Sequence, residues 1–264
     1  MKILLKIIGG LIGAIAVLVF FAWFDMQPNI PNQGIPLQPP TMTGDKHVLV
    51  FGATRNTGYE VTEDLMARGD KVTAFVRETS DRSQLEALGV DFVVGDAIVA
   101  DTVKAAFAAG EYDAVITTMG SYSAEVPPDY VGNANVFDAA AEAGVKRVIM
   151  VSTIGVGSSA DAAPKLSKIF LAGVLPLKTQ AEEHLRASGL DYTIIRPGGL
   201  PPGIGTGTGL LSEDPATMGF IARPDLARLI VAALDNDNTI GKTLAAVDPA
   251  QKSPIENLLF GSAD

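Results

Sequence analysis

The sequence predicts an α/β fold, a parallel sheet with helices on both faces, preceded by one N-terminal transmembrane helix. Three observations predict it. From Lys46 onward, short apolar runs alternate with helix-like segments, the order of a sheet built from βα units. The first of these, Val48 to Gly58, reads as strand, glycine-bounded turn and helix start. Upstream, Ile7 to Phe24 carries no charged residue and follows Lys2 and Lys6.

The N-terminal run comes first in the chain. Counted from Ile3 it is 22 residues long, which at about 1.5 Å per residue covers a hydrocarbon core of roughly 30 Å. A secretory signal has a shorter apolar region, roughly 7–15 residues, closed by small residues. Here the run ends Phe20-Phe21-Ala22-Trp23-Phe24. An uncleaved anchor over residues 1–24 is therefore favoured over a cleaved signal, and Trp23 suits the interfacial aromatic belt. Residues 25–44 hold Pro28, Pro31, Pro36, Pro39 and Pro40, a composition expected to form a semi-extended linker that holds a domain at 45–264 off the membrane.

Within that domain, Val48-Leu49-Val50-Phe51 suits a strand buried on both faces. Gly52 lets the chain turn out of the strand, and Gly58 lets the next helix, Tyr59 to Arg68, lie close to the sheet. Such a helix start offers unpaired N–H groups to a pyrophosphate. This is how a dinucleotide-binding, Rossmann-like doubly wound sheet opens. The pattern then gives a strand at Lys71–Val76 and a helix at Ser80–Leu88, stopped by Gly89. A strand follows at Asp91–Val94, then a helix capped by Asp101 and running to Ala109. Tyr112–Thr118 reads as strand, Asp129–Ala143 as helix and Arg147–Val151 as strand. Lys178–Ala187 reads as helix, Tyr192–Ile195 as strand, Pro224–Leu234 as helix and Lys242–Val247 as a last strand. Leu200–Asp214, rich in glycine and proline, is expected to be a mobile loop over a pocket.

Composition narrows the chemistry. With no cysteine, thiolate metal sites are excluded, and with only His47 and His184 a histidine-rich centre, or any metal, is not expected. A formal charge of −10 repels a phosphate backbone, so nucleic acid is not an expected partner. Ligands of an open α/β sheet sit outside the carboxyl ends of the strands. Those ends lead into loops starting at Gly52, Arg77, Gly95, Met119, Ser152 and Arg196. At the second strand's end an acidic residue favours NAD and a basic one NADP. Here it is Arg77, and Arg55 in the glycine loop can supply a second guanidinium fork for a 2′-phosphate. Asp96 can accept from an adenine amino group or cap its own turn, and Gly120 can let the backbone approach a ribose or simply serve the turn.

The segments VLVFGATRNTG, KVTAFVR, VVGD, AVITTMGS, AGVKRVIMVSTIGVG, KTQAEEHLRASGLDYTIIRPGGL and RPDLARLIVAAL resemble, in this order, the atypical short-chain dehydrogenase/reductase family. Within it they are most similar to the NmrA-like and biliverdin-reductase-B-like NAD(P)H-binding branch. The resemblance implies NADP(H) in preference to NAD(H). Gly52, Thr54, Arg55, Asn56, Thr57 and Gly58 would hold the pyrophosphate and Arg77 the 2′-phosphate. Asp96 and Ala97 would lie by the adenine, and Thr118, Met119 and Gly120 would line the cofactor. Ser152 and Thr153 would stand near the nicotinamide, Lys178 at its ribose, and Pro197 and Gly198 beside its ring.

Two positions depart from the family's pattern. Arg55 stands where the loop usually has glycine. The Tyr-x-x-x-Lys motif is also incomplete: Val174 lies four residues before Lys178, and no tyrosine occurs between Tyr130 and Tyr192. Valine cannot act as a general acid, so ordinary alcohol–ketone chemistry is not expected. Quinones, flavins and other conjugated acceptors can take their proton from water. The expected function is thus a membrane-anchored NADPH-dependent reductase of such a small molecule. The alternative is a non-enzymatic NADP(H)-binding sensor or assembly factor beside a membrane protein partner. The side of the membrane is left open. Lys2 and Lys6 place the N-terminus in the cytoplasm and the domain opposite, whereas the expected cofactor argues for the cytoplasm, unless the far compartment holds its own pyridine nucleotides.

Overall fold

The computed structural model describes residues 19, 23–37, 44–120, 124–253 and 255–257. Most of the expected membrane span at 1–24, and linker residues 38–43, lie outside them. Among the described residues no helix is long and apolar enough to cross a membrane.

The domain is one eight-stranded sheet. Its strands are β1 (His47–Phe51), β2 (Lys71–Val76), β3 (Asp91–Val94), β4 (Ala114–Thr117), β5 (Arg147–Val151), β6 (Asp191–Pro197), β7 (Leu210–Ser212) and β8 (Lys242–Val247). Their spatial order is β3-β2-β1-β4-β5-β6-β8-β7. All pairs are parallel except β7 with β8. The order reverses between β1 and β4, the crevice where such sheets bind ligands. Val48–Phe51 and Val148–Val151 are buried on both faces, which explains their unbroken apolar runs.

The main helices among the described residues are α1 (Asn56–Arg68), α2 (Ser83–Ala87), α3 (Ala100–Ala108), α4 (Val131–Ala143), α5 (Lys165–Leu171), α6 (Leu175–Ala187) and α7 (Arg223–Leu234). α1 buries Val61 and Leu65, one turn apart. It ends at Gly69, whose φ of 98° lets its N–H reach the carbonyls of Leu65 and Met66. α7 buries nine of its twelve residues against β5, β6 and β8, and shares that layer with α1.

Several expectations are corrected. Asp101 does not cap α3. Val99 holds the cap position, and Asp101 falls in the first turn, where its carboxylate still suits the helix dipole. Thr118 lies just beyond β4 and Asp129 just before α4. α5 and β7 had no recognisable pattern, because seven and three residues are too few for a period to show. Leu200–Asp214 is no free loop. The buried Asp225 carboxylate accepts from the N–H groups of Thr206 (2.6 Å) and Gly207 (3.0 Å). The buried Asp248 carboxylate accepts from the hydroxyls of Thr206 and Thr208, both at 2.5 Å. The segment then enters β7.

Asp25 and Met26 close a short helical turn, and residues 27–37 continue without helix, as their prolines require, but they run along the domain. Asn29 exchanges backbone hydrogen bonds with Met218 at 2.8 and 2.9 Å, and the Ile35 N–H donates to the Leu211 carbonyl at 2.8 Å. Asn238 donates to the Pro36 carbonyl at 2.6 Å. Ile30, Ile35 and Leu37 pack on buried side chains of the domain. This stretch is a strap that starts at the end of the apolar run and adds to the core.

Candidate functional site

Two clefts open at the carboxyl edge of the sheet. The first, of about 380 Å³, lies across the β1–β4 crevice. Gly52, Thr54, Arg55, Asn56, Thr57 and Gly58 form one wall. Arg77 stands at the end of β2, Asp96 and Ala97 at the end of β3, and Thr118, Met119 and Gly120 at the end of β4. The twelve residues expected around the adenosine and pyrophosphate are therefore brought to one cavity.

The loop's geometry explains its unusual sequence. Its left-handed positions are Gly52, with φ of 86°, and Asn56, with φ of 52°; asparagine tolerates that region better than other side-chain residues. Arg55 is extended, with φ of −161°, a conformation any residue adopts, so arginine replaces glycine there without strain. Gly58 cannot be replaced in the same way. A Cβ on it would lie 2.0 Å from the Gly52 carbonyl oxygen and 2.7 Å from the Thr118 Oγ1, so glycine is what lets α1 dock against the turn. Arg55 and Arg77 are exposed and make no ion pair among the described residues. Two unpaired guanidinium groups, a helix N-terminus and a cradle that a Cβ would fill make the cleft a fit for a phosphorylated dinucleotide. Asp96 accepts from the Ile98 N–H at 3.2 Å through one carboxylate oxygen, so it caps its own turn.

The second cleft, of about 290 Å³, adjoins the first. Ser152 and Thr153 from the end of β5, Lys178 from α6, and Pro197 and Gly198 from the end of β6 line it. The remaining expected residues thus gather here. The two clefts meet at Lys178, whose Nζ donates to the Met119 carbonyl at 3.3 Å and pairs with the Asp129 carboxylate at 3.2 Å. Lys178 is held by this buried pair, with its ammonium between the clefts. Apart from these groups the second wall is mostly apolar, and includes Ile154, Leu171, Leu200 and Phe220. The strap contributes Met26 to it.

The hydroxyl of Ser152 is already committed. It donates to the Glu182 carboxylate at 2.6 Å. Arg196 grips the same carboxylate through Nε at 2.9 Å and Nη2 at 2.6 Å, and Arg186 adds a bond at 2.7 Å. Burial opposes ionisation of Glu182, yet the Arg196 fork, with Ser152 and Arg186, holds its carboxyl below the ordinary carboxylate range. Ser152 can therefore accept a hydrogen bond from a ligand but has no proton left to donate. Val174 is buried at the start of α6, and no described tyrosine lines the second cleft. Neither histidine lines either cleft.

Asp129, Glu182, Arg223 and Met26 were not singled out from sequence. Lys178, Glu182 and Arg186 recur every four residues, and that helical spacing was the available signal for Glu182. Arg223 opens α7 and lines the second cleft. Its Nη1 lies 3.4 Å from the Leu200 carbonyl, and its buried Nε has no acceptor. A guanidinium edge in an apolar wall suits an acidic substituent on a substrate.

Comparison with known proteins agrees with this geometry. Residues 52–237 match a family model described as NAD(P)H-binding. A solved anaerobillin reductase from Escherichia coli O157:H7 is 32% identical, with a TM-score of 0.72 over 78% of this chain and 99% of that one. An uncharacterized sugar epimerase of Bacillus subtilis is 36% identical over 73% of this chain and 89% of its own length. Sanguinarine reductase of Eschscholzia californica is 36% identical over 47% of this chain and 45% of that protein.

Proposed function

The chain belongs to the NAD(P)H-binding family, and on that premise we propose that it is a membrane-anchored, NADPH-dependent reductase of a quinone-like, flavin-like or other conjugated small molecule. The observation that carries this reading is the junction of the two clefts at Lys178. A polar, phosphate-suited cavity meets a mostly apolar one there.

The glycine loop and α1 would hold the pyrophosphate, and Arg55 and Arg77 the 2′-phosphate. Lys178 would hold the nicotinamide ribose. When bound, the reduced nicotinamide supplies a hydride. The protein's part is alignment. Pro197 and Gly198 form one wall, Ile154 and Phe220 exclude water, and Arg223 fixes an acidic substituent. With the Ser152 proton committed to Glu182, the acceptor is one that can take its proton from water. Acceptors whose reduced form is a stabilised anion, such as quinones and flavins, tolerate this. The uncharged run at 7–24 supports anchoring in a membrane.

The test is oxidation of NADPH by the full-length chain across quinones, free flavins, sanguinarine and anaerobillin. Turnover of at least one supports the reading. Binding of NADPH with no turnover of any acceptor refutes it. That outcome would leave a second reading, an NADP(H)-binding sensor or assembly factor beside a membrane complex. The missing tyrosine and the committed Ser152 proton favour this alternative.

A further inference from the structure

Nine large apolar side chains are exposed among the described residues, and four of them fall together: Phe24 (66% exposed), Leu166 (40%), Ile169 (72%) and Phe170 (76%). Three belong to α5, the two-turn helix Lys165–Leu171, which buries none of its residues. Positions 166, 169 and 170 share one helical face. The other face carries Ser167 and Leu171, which line the second cleft. A helix at the lip of a pocket thus turns its apolar face to the outside, the reverse of the usual amphipathic arrangement.

The fourth residue ties this face to the chain's other unusual feature. Phe24 ends the uncharged run that starts at Ile7. The next residue, Asp25, accepts from the Leu166 N–H at 3.4 Å, and Met26 lines the cleft with Ser167 and Leu171. The point where the apolar run enters the domain is therefore seated on α5. Lys165 and Lys168 lie on the same helix in a chain of net charge −10. Apolar side chains flanked by lysines, placed at the end of an apolar run, match a lipid surface in both chemistry and position.

We propose that the outer face of α5, with Phe24, is immersed in the lipid interface, which brings the mouth of the second cleft to the membrane surface. This rests on the anchoring reading above. It adds which face of the domain meets the bilayer, and that substrate is drawn from molecules dissolved in lipid.

The absence of cysteine makes a direct test available. Single variants Ile169→Cys and Phe170→Cys of the full-length chain, labelled with bimane, are placed in nanodiscs with and without doxyl-labelled phosphatidylcholine. Ala16→Cys reports the apolar run, and Ile204→Cys, 89% exposed on another loop, is the control. The inference expects at least twofold quenching at 16, 169 and 170, and none at 204. Quenching at 16 but not at 169 or 170 overturns the docking inference and leaves the anchor standing. No quenching at any site overturns both. Blue-shifted, unquenched labels at 169 and 170 would assign the face to a protein contact, such as a second copy, and also overturn it.

Discussion

Replacing Glu182 with glutamine tests the account of the second cleft at its most buried point. The carboxylate is fully buried and accepts from Ser152, Arg186 and both arms of the Arg196 fork, at 2.6 to 2.9 Å. Glutamine has nearly the same shape but one acceptor oxygen and an NH₂ group. Whichever way the amide turns, its nitrogen confronts a donor that previously faced oxygen, and the Arg196 charge loses its counter-ion. Removing one partner of a buried ion pair costs about 3–5 kcal/mol. For a domain of this size, roughly 2–4 °C is lost per kcal/mol, so the melting temperature should fall by about 6–20 °C. The assay is urea and thermal unfolding of wild type and Glu182→Gln at pH 7. The double variant Glu182→Leu, Arg196→Met is the companion, and should recover most of the loss because the buried guanidinium leaves with its counter-ion and Arg186, a third exposed, can turn to solvent. A single variant that loses less than about 1 kcal/mol, or a double variant no better than the single, would refute the reasoning.

Other expectations follow from single contacts. Burial raises the Asp64 carboxyl to about 6, with Glu60 and Glu63 adding to the shift and Arg228 opposing it. A raised acid destabilises the fold as pH climbs from its ordinary 3.8 through about 6. Asp64→Asn should therefore gain about 1 kcal/mol at pH 7.5 after allowance for partial exposure. The gain should shrink to nothing near pH 4, and a pH-independent gain in urea titrations would contradict the assignment. Gly58→Ala should weaken NADPH binding at least tenfold, because its methyl would overlap the Gly52 carbonyl. Gly173→Ala, with no atom within 4 Å of its added Cβ, should leave binding unchanged, and equal losses in calorimetry would count against the cradle. Arg223→Met should raise KM for acidic acceptors by about 10–100-fold and spare neutral ones. An equal effect on both would remove Arg223 from substrate recognition.

The parts of this molecule that repeat a pattern were legible in its sequence. β1, β5 and β8 announce themselves through unbroken apolar runs ended by Gly52, Ser152 and Asp248, and the strand ends then place the cleft. What escaped was built from long-range polar contacts. Nothing local says that Asp225 and Asp248 will pin the segment after β6, or that Glu182 will accept the hydrogen bond of Ser152. Nor do the prolines at 28, 31 and 36 say whether an extended segment leaves the domain or lies on it. Its attachment depends on Met218 and Leu211, far along the chain. Arg55 is instructive in the other direction. As a missing glycine it argues against nucleotide binding, but the left-handed turn that glycine would serve falls on Asn56.

The most direct test of the central claim is a calorimetric titration of the full-length chain, strap included, with NADPH and in parallel NADH, repeated on Arg77→Ala. A fragment starting at residue 44 would lack the strap that supplies Met26. The account predicts NADPH binding at least tenfold tighter than NADH, with the difference largely lost in Arg77→Ala, since each charge-assisted bond to a phosphate contributes about 1.5–3 kcal/mol before screening at an exposed site. Equal affinity for the two nucleotides would contradict the roles given to Arg55 and Arg77, and failure to bind either would contradict the reading of the first cleft as a nucleotide site.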